Sequence, residues 1–179
     1  MPRIETDRLL LRPYATEDAV AMSVLHADPA VMEYLKDSKP LSRDEAAETF
    51  QRYLYCWETF GHGVFSVRRR SDGKYVGECG HWVRTDKPGV SMRFMMHREF
   101  WGNGFGREMN EAVTAWLFSA TDVMSFWAVT QSRNKGAVAI LRRLGGRLTE
   151  NAHMGQPGLL RFDVDRPAWE KARAEMQDE

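Results

Sequence analysis

Cysteine is scarce: Cys56 and Cys79 are the only two among 179 residues. Two thiols cannot build a disulfide framework, and their separation fits no metal-ligand pattern. Net charge is lacking too, since 25 Lys and Arg are balanced by 25 Asp and Glu. A neutral chain offers no general electrostatic attraction to nucleic acid or to an anionic membrane. No apolar run approaches the roughly 20 residues that cross a bilayer. The start, Met1-Pro2-Arg3-Ile4-Glu5-Thr6-Asp7, has none of the apolar stretch of a signal peptide. No internal repeat or linker appears. These absences predict a soluble protein of a reduced compartment, the cytoplasm, folded as one domain over residues 1–179. Nucleic acid, membrane and metal are not expected as partners.

What is present centres on Arg98-Glu99-Phe100-Trp101-Gly102-Asn103-Gly104-Phe105-Gly106-Arg107-Glu108. Glycines at three alternate positions exclude a helix interior or an ordinary strand, and they permit unusual φ and close approach to the backbone. The apolar run Met92 to Met96 precedes them. Met109, Ala112, Val113, Trp116, Leu117 and Ala120 follow at helical spacing. Strand, glycine turn and helix in that order aim unpaired N–H groups and a positive dipole end into the turn, which predicts an anion site with phosphate as the usual occupant. The spacing fits neither a P-loop nor a dinucleotide-binding turn.

The rest of the chain alternates short strands and helices. Arg8 to Pro13 reads as a strand, and Thr16 with Glu17 and Asp18 starts a helix that Asp28-Pro29 interrupts. A short apolar piece, Val31 to Leu35, runs into the polar loop Lys36 to Pro40. Ser42-Arg43-Asp44-Glu45 is a capping box for a long helix ended by Gly61. Its aromatic face, with Phe50, Tyr53 and Trp57, suits a core. Val64 to Arg69 and Tyr75 to Val83 form a hairpin about Ser71-Asp72-Gly73-Lys74, and Thr85 to Gly89 turns into the strand before the glycines. Val123 to Thr130 is apolar enough for a strand buried on both faces. Asn134 opens a helix closed by Gly145-Gly146, strands follow near Arg147–Glu150 and Leu159–Val164 around the turn-rich Asn151 to Gly158, and Pro167 starts a last helix.

Phe100-Trp101-Gly102-Asn103-Gly104-Phe105-Gly106-Arg107-Glu108-Met109 resembles the pyrophosphate loop of the GNAT acetyltransferases, in the branch similar to the ribosomal-protein N-terminal acetyltransferases, which usually writes Tyr-Trp-Gly-x-Gly-Tyr-Ala-x-Glu-Ala. Thr6-Asp7-Arg8-Leu9-Leu10-Leu11-Arg12 is similar to the branch's opening Thr-x-Arg-Leu-x-Leu-Arg. Asn134 to Gly146 is similar to its Asn-x-x-Ser-x-x-x-Leu-x-Lys-Leu-Gly-Phe. The resemblance runs from Thr6 to Trp169. It implies an α+β (mixed α/β) GNAT fold in the order β-α-α-β-β-β-α-β-α-β-β, with a mixed, mostly antiparallel sheet of about seven strands flanked by helices. It departs at Ala137, where serine is usual, at Gly146, where an aromatic is usual, and in the helix after Asn134, which lacks the tyrosine acid of related families.

The activity implied is N-acetyl transfer from acetyl-CoA to a primary amine, on a protein N-terminus or a small molecule, in a ternary complex formed by a monomer or homodimer. A non-catalytic acyl-CoA-binding sensor is the alternative, kept open by the missing tyrosine and serine. By the resemblance, Trp101, Gly102, Asn103, Gly104, Phe105, Gly106 and Arg107 hold the pyrophosphate, Met95 and Met96 border the acetyl and pantetheine positions, and Asn134 lies beside the cofactor arm. Lys135, Arg142 and Arg143 suit either the nucleotide phosphates or a solvated helix face. Many relatives take the acceptor's proton with a carboxylate on the central strands, directly or through water. Glu78 and His81 are the candidate bases here, and strand alternation puts them on opposite sheet faces.

Overall fold

The computed structural model describes residues 1–35, 39–83, 88–149 and 158–177. The polar loop at 36–38, the turn at 85–87 and the turn-rich segment 151–157, with Glu150, fall outside these. The described strands are β1 (Ile4–Glu5), β2 (Leu9–Pro13), β3 (Val64–Arg69), β4 (Tyr75–Val83), β5 (Val90–Met96), β6 (Ser125–Gln131), β7 (Arg147–Thr149) and β8 (Leu159–Asp165). The helices are α1 (Ala19–Ala27), α2 (Pro29–Met32), α3 (Arg43–Phe60), α4 (Phe105–Ala120), α5 (Lys135–Arg143) and α6 (Arg166–Gln177). One sheet runs β1-β2-β3-β4-β5-β6-β8-β7. Its only parallel neighbours among the described residues are β5 and β6, so the mixed, mostly antiparallel architecture is as expected. The two-residue β1, too short to carry a pattern, adds an eighth strand.

Local chemistry explains the boundaries. At the start of α3, Ser42 Oγ accepts from the Glu45 N–H at 3.3 Å and Glu45 Oε2 accepts from the Ser42 N–H at 2.7 Å, the reciprocal capping box. Gly61 ends the helix in the left-handed region, φ 68°. α5 starts where Asn134 Oδ1 accepts from the Ala137 N–H at 3.1 Å.

Two helical layers sandwich the sheet. Met109, Val113 and Leu117 of α4 and Leu141 of α5 join Leu9, Leu11, Phe65, Val67, Phe126 and Ala128 in the main core. Burying each large side chain contributes about 1.5–3 kcal/mol. On the other face Phe50 and Tyr53 of α3 and Met22 of α1 pack with Val64 and Trp82. A bulge opposite Val67 and Arg68 moves Tyr75 onto this second face. One expectation is corrected: β6 is not buried on both faces. Phe126, Ala128 and Thr130 are buried, whereas Trp127, Val129 and Gln131 are half-buried. The early helices pack on β4 and leave that side of β6 only partly covered.

Candidate active site

After β5 a single 3-10 turn, Arg98–Phe100, delivers the chain to the glycines. Gly102 and Gly104 have φ of 75° and 79°, a left-handed conformation that glycine adopts without strain. Gly104 is the N-cap of α4, and no side chain caps this end. The first bond across the helix start is Glu108 N–H to Gly104 O at 3.1 Å. The N–H groups of Phe105, Gly106 and Arg107 therefore precede any intrahelical partner and stand at the positive end of the helix dipole. Gly106 serves differently: a Cβ there would lie 2.8 Å from Met96 Cε and 3.2 Å from Ile140 Cδ1. Its missing side chain lets α4 approach β5 and α5.

Beside this turn the sheet opens. β5 and β6 pair at Ser91 and Trp127, and no further pair joins them among the described residues. The His97 N–H bonds Val76 O at 2.9 Å, toward β4. Alternation then turns the amides of Phe94 and Met96 away from β4, into the gap. Trp101 Nε1 donates to Met96 O at 3.0 Å, tying the glycine turn to the rim of that gap.

A cavity of about 470 Å³ joins the two features. Met95, Met96, Trp101, Gly102, Gly104, Gly106, Arg107 and Asn134 line it, eight of the residues singled out in the sequence for the cofactor. Three others do not. Asn103 folds its side chain back to the Trp101 carbonyl at 3.1 Å. Phe105 is buried beneath the Arg8 guanidinium, and Arg142 points from the exposed side of α5. The structure adds Val31, Tyr34, Leu35, Phe94, Arg133 and Ile140 to the lining. Of these, Tyr34 and Arg133 close one side. Arg133 donates to Glu33 Oε1 at 2.7 Å and lies over the Tyr34 ring, which meets the Trp101 ring edge-on. Such single residues in turns carry no spacing signal that a sequence could show. Arg107, Arg133 and Lys135 line the cavity, and no carboxylate does so among the described residues. Its charge therefore suits a polyanion.

Neither candidate base lines this cavity, and alternation holds between them. Glu78 lies on the α1 and α3 face, fully buried. Its Oε2 accepts from Tyr14 OH at 2.8 Å and His26 Nε2 at 2.9 Å; its Oε1 accepts from Tyr53 OH at 2.7 Å and Arg93 Nε at 3.0 Å. Four donors fill the four lone-pair positions of a carboxylate. Burial by itself would raise the Glu78 pKa, but the charge and hydrogen bond of His26, with Arg93 and Tyr53, bring it down to about 2. Burial keeps Tyr14, Tyr53 and Tyr75 protonated well above the usual phenol range. Tyr14 spends its proton on Glu78, so Tyr75 OH donates to Tyr14 OH at 2.6 Å.

His81 is buried on the α4 face with its ring 4.4 Å from that of Phe126. Burial, with His62 nearby, depresses its pKa to about 3. A general base works best with a pKa near the operating pH. A saturated carboxylate near 2 and an imidazole near 3 both lie far below that, and the cavity reaches neither side chain. His26, Arg93 and Tyr53, which surround Glu78, come from three separate elements and Tyr14 from the connection after β2, and the four share no motif.

The comparisons with known proteins agree with this geometry. The sequence pattern of the acetyltransferase (GNAT) domain matches residues 8–147. The Bacillus subtilis protein called uncharacterized N-acetyltransferase YoaA is 25% identical over 145 residues, covering 80% of this chain and 82% of that one. An acetyltransferase from Agrobacterium tumefaciens superposes with a TM-score of 0.80 at 23% identity, over 93% of this chain and 95% of the other. RimL, a ribosomal L7/L12 α-N-protein acetyltransferase solved with coenzyme A, superposes with a TM-score of 0.76 at 14% identity, over 93% and 99%. The two structural likenesses show the fold, and the domain match covers most of the chain: it belongs to the GNAT acetyltransferase family and is an acetyl-CoA-dependent acyltransferase.

Proposed function

We propose that the chain moves the acetyl group of acetyl-CoA to a primary amine by direct transfer in a ternary complex. One observation carries this: unpaired N–H groups at the glycine turn and unpaired strand amides at the β5–β6 gap open on one cavity. The first set suits a diphosphate, with Arg107 and Lys135 adding charge. The second suits a thioester carbonyl as it gains negative charge. Gly102, Gly104 and Gly106 shape the turn, and Met95 and Met96 border the acetyl end.

In the transfer the amine nitrogen forms a bond to the carbonyl carbon, the C–S bond breaks, and coenzyme A leaves as a thiolate, while the proton shed by the new amide nitrogen passes to that thiolate or to water. The amine must be neutral at that moment. With Glu78 and His81 unsuited to removing its proton, we assign Glu78 the role of a buried anion that orders α1, α3 and β5. The acceptor then enters neutral or loses its proton to water. An α-amine titrates near pH 8 and a lysine amine near 10.4, so far more of an α-amine is neutral at pH 7. This favours a protein N-terminus, or a small amine of similarly low pKa, over a lysine side chain.

The described sheet runs unbroken from Ile4 to Asp165, which supports one catalytic domain across the chain. No helix among the described residues is long and apolar enough to cross a membrane. Both cysteines are free and buried, in keeping with the cytoplasmic setting inferred from the sequence. The test is an amine panel, including short peptides with free N-termini, followed by thiol release and by the mass of the acceptor. Release that depends on an amine, with an acetylated product, supports the reading. Acetyl-CoA binding without release for any amine would leave a binding protein.

A further inference from the structure

The motif Thr6-x-Arg8 does not line the cavity. Its contacts nevertheless converge on the glycine turn from the far side. Arg8 Nη1 donates to Asn103 O at 2.9 Å, Arg8 Nε donates to Glu108 Oε2 at 2.7 Å, and Nη2 lies 2.6 Å from the same oxygen. The Arg8 N–H donates to Glu108 Oε1 at 3.0 Å, and Thr6 Oγ1 donates to that oxygen at 2.5 Å. The guanidinium carbon stands 4.6 Å from the centre of the Phe105 ring. One side chain thus holds residues 103 and 108, on either side of the free N–H groups, and covers the ring of Phe105, which carries the first of them. The motif is itself fixed. Thr6 and Leu9 exchange hydrogen bonds, N–H to Leu9 O at 3.0 Å and Leu9 N–H to Thr6 Oγ1 at 2.9 Å, and Arg70 N–H donates to Arg8 O at 2.8 Å.

Charge gives the arrangement a second consequence. Glu108 lies in the first turn of α4, where a carboxylate suits the helix dipole but repels a bound diphosphate. Arg8 and Thr6 occupy both its oxygens, and its side chain is 17% exposed against 48% for Arg8. Burial would raise the Glu108 pKa, yet the hydrogen bonds from Thr6 and Arg8 keep it below the usual range.

Resting on the assignment of the acetyl-CoA diphosphate to residues 102–107, we infer that Thr6 and Arg8 are positioning residues for acetyl-CoA. They fix the turn from behind and neutralise the one carboxylate in the first turn of the helix it opens. The decisive experiment measures the coenzyme A dissociation constant by calorimetry for the full chain and for Arg8→Ala, Arg8→Lys and Arg8→Ala/Glu108→Gln, well below each unfolding temperature. Arg8→Ala should weaken binding by about tenfold or more, the usual weight of a charge-assisted pair, with KM for acetyl-CoA rising in step. Arg8→Lys, which keeps the charge and loses the fork, should fall between. Adding Glu108→Gln to Arg8→Ala should recover part of the affinity although it removes further contacts. A purely structural staple would not show that reversal. If the unaltered chain binds coenzyme A and the folded Arg8 variants bind it equally well, the inference is overturned while the site assignment stands. Should Arg8→Ala not fold, unaltered affinity in Arg8→Lys overturns it alone. If the unaltered chain binds no coenzyme A, the site assignment fails and this inference with it.

Discussion

Glu78 Oε2 and His26 Nε2 lie 2.9 Å apart, both side chains with no solvent exposure. A carboxylate only accepts, so His26 Nε2 donates, while His26 Nδ1 is buried without a hydrogen-bond partner among the described residues. α1 is thereby tied to the middle strand of the sheet through one anion.

That anion makes folding sensitive to acid. Glu78 has its pKa depressed from 4.5 to about 2. A depressed carboxylate contributes its stability above the unfolded value and loses it as pH falls through the folded one. The loss should therefore begin below pH 4.5 and continue toward 2, amounting to about 3 kcal/mol. Glu78→Gln should abolish this part of the acid limb in a denaturant series across pH. It should also cost about 3–5 kcal/mol at neutral pH, because buried donors lose their charged acceptor. An unchanged acid limb in a folded Glu78→Gln variant contradicts the assignment.

His81 should prove dispensable for turnover. Its Nε2 is buried without a partner among the described residues, and its backbone carbonyl, which faces His62 Nδ1 at 3.2 Å, survives substitution. Replacing an unsatisfied polar ring with an apolar side chain removes a desolvation penalty of about 1–3 kcal/mol, so His81→Leu should leave stability equal or higher and kcat unchanged. A loss of a hundredfold or more, the usual cost of removing a general base, would restore His81 to the mechanism.

The glycines of the turn should separate into two kinds. Gly104 needs its left-handed φ of 79°, and a Cβ there would sit 3.3 Å from Arg8 Nη2. Gly104→Val should abolish coenzyme A binding while the fold remains cooperative. Gly106→Ala meets Met96 Cε at 2.8 Å, the free end of a flexible side chain that can swing aside, so binding should survive. Calorimetry on the two variants checks the contrast; near-normal affinity for Gly104→Val would reject the turn as the diphosphate site.

Much of this was legible in the sequence because it is local. The capping box at Ser42, the helix stop at Gly61 and the glycine turn each depend on a few adjacent residues. Much of the cavity lining follows, since Trp101, Gly102, Gly104, Gly106 and Arg107 lie in one stretch and α5 starts at Asn134. The Glu78 environment did not show. His26, Arg93, Tyr14 and Tyr53 reach one carboxylate from far along the chain, and only the fold converts an ordinary strand glutamate into a saturated buried anion. The opening motif was visible as a motif, but its partner Glu108 stands a hundred residues away from Arg8. The half-covered face of β6 was misread because apolar composition reports burial without saying which helices reach it.

The pH profile of turnover should follow the acceptor. Glu78 near 2 and His81 near 3 are deprotonated throughout pH 6 to 9, so neither supplies a limb there. The rate at limiting amine should rise with pH in step with the neutral fraction of the amine, and the midpoint should move when an amine of different pKa is used. A midpoint fixed across amines would reveal an enzyme group acting as base.

Acetyl-CoA binding itself is the most direct test. Titrating acetyl-CoA and following thermal unfolding should raise stability as RT ln(1 + [L]/Kd), about 2.7 kcal/mol at a hundredfold excess over Kd, and Gly104→Val should abolish the shift. No shift for the unaltered chain at millimolar acetyl-CoA would contradict the account.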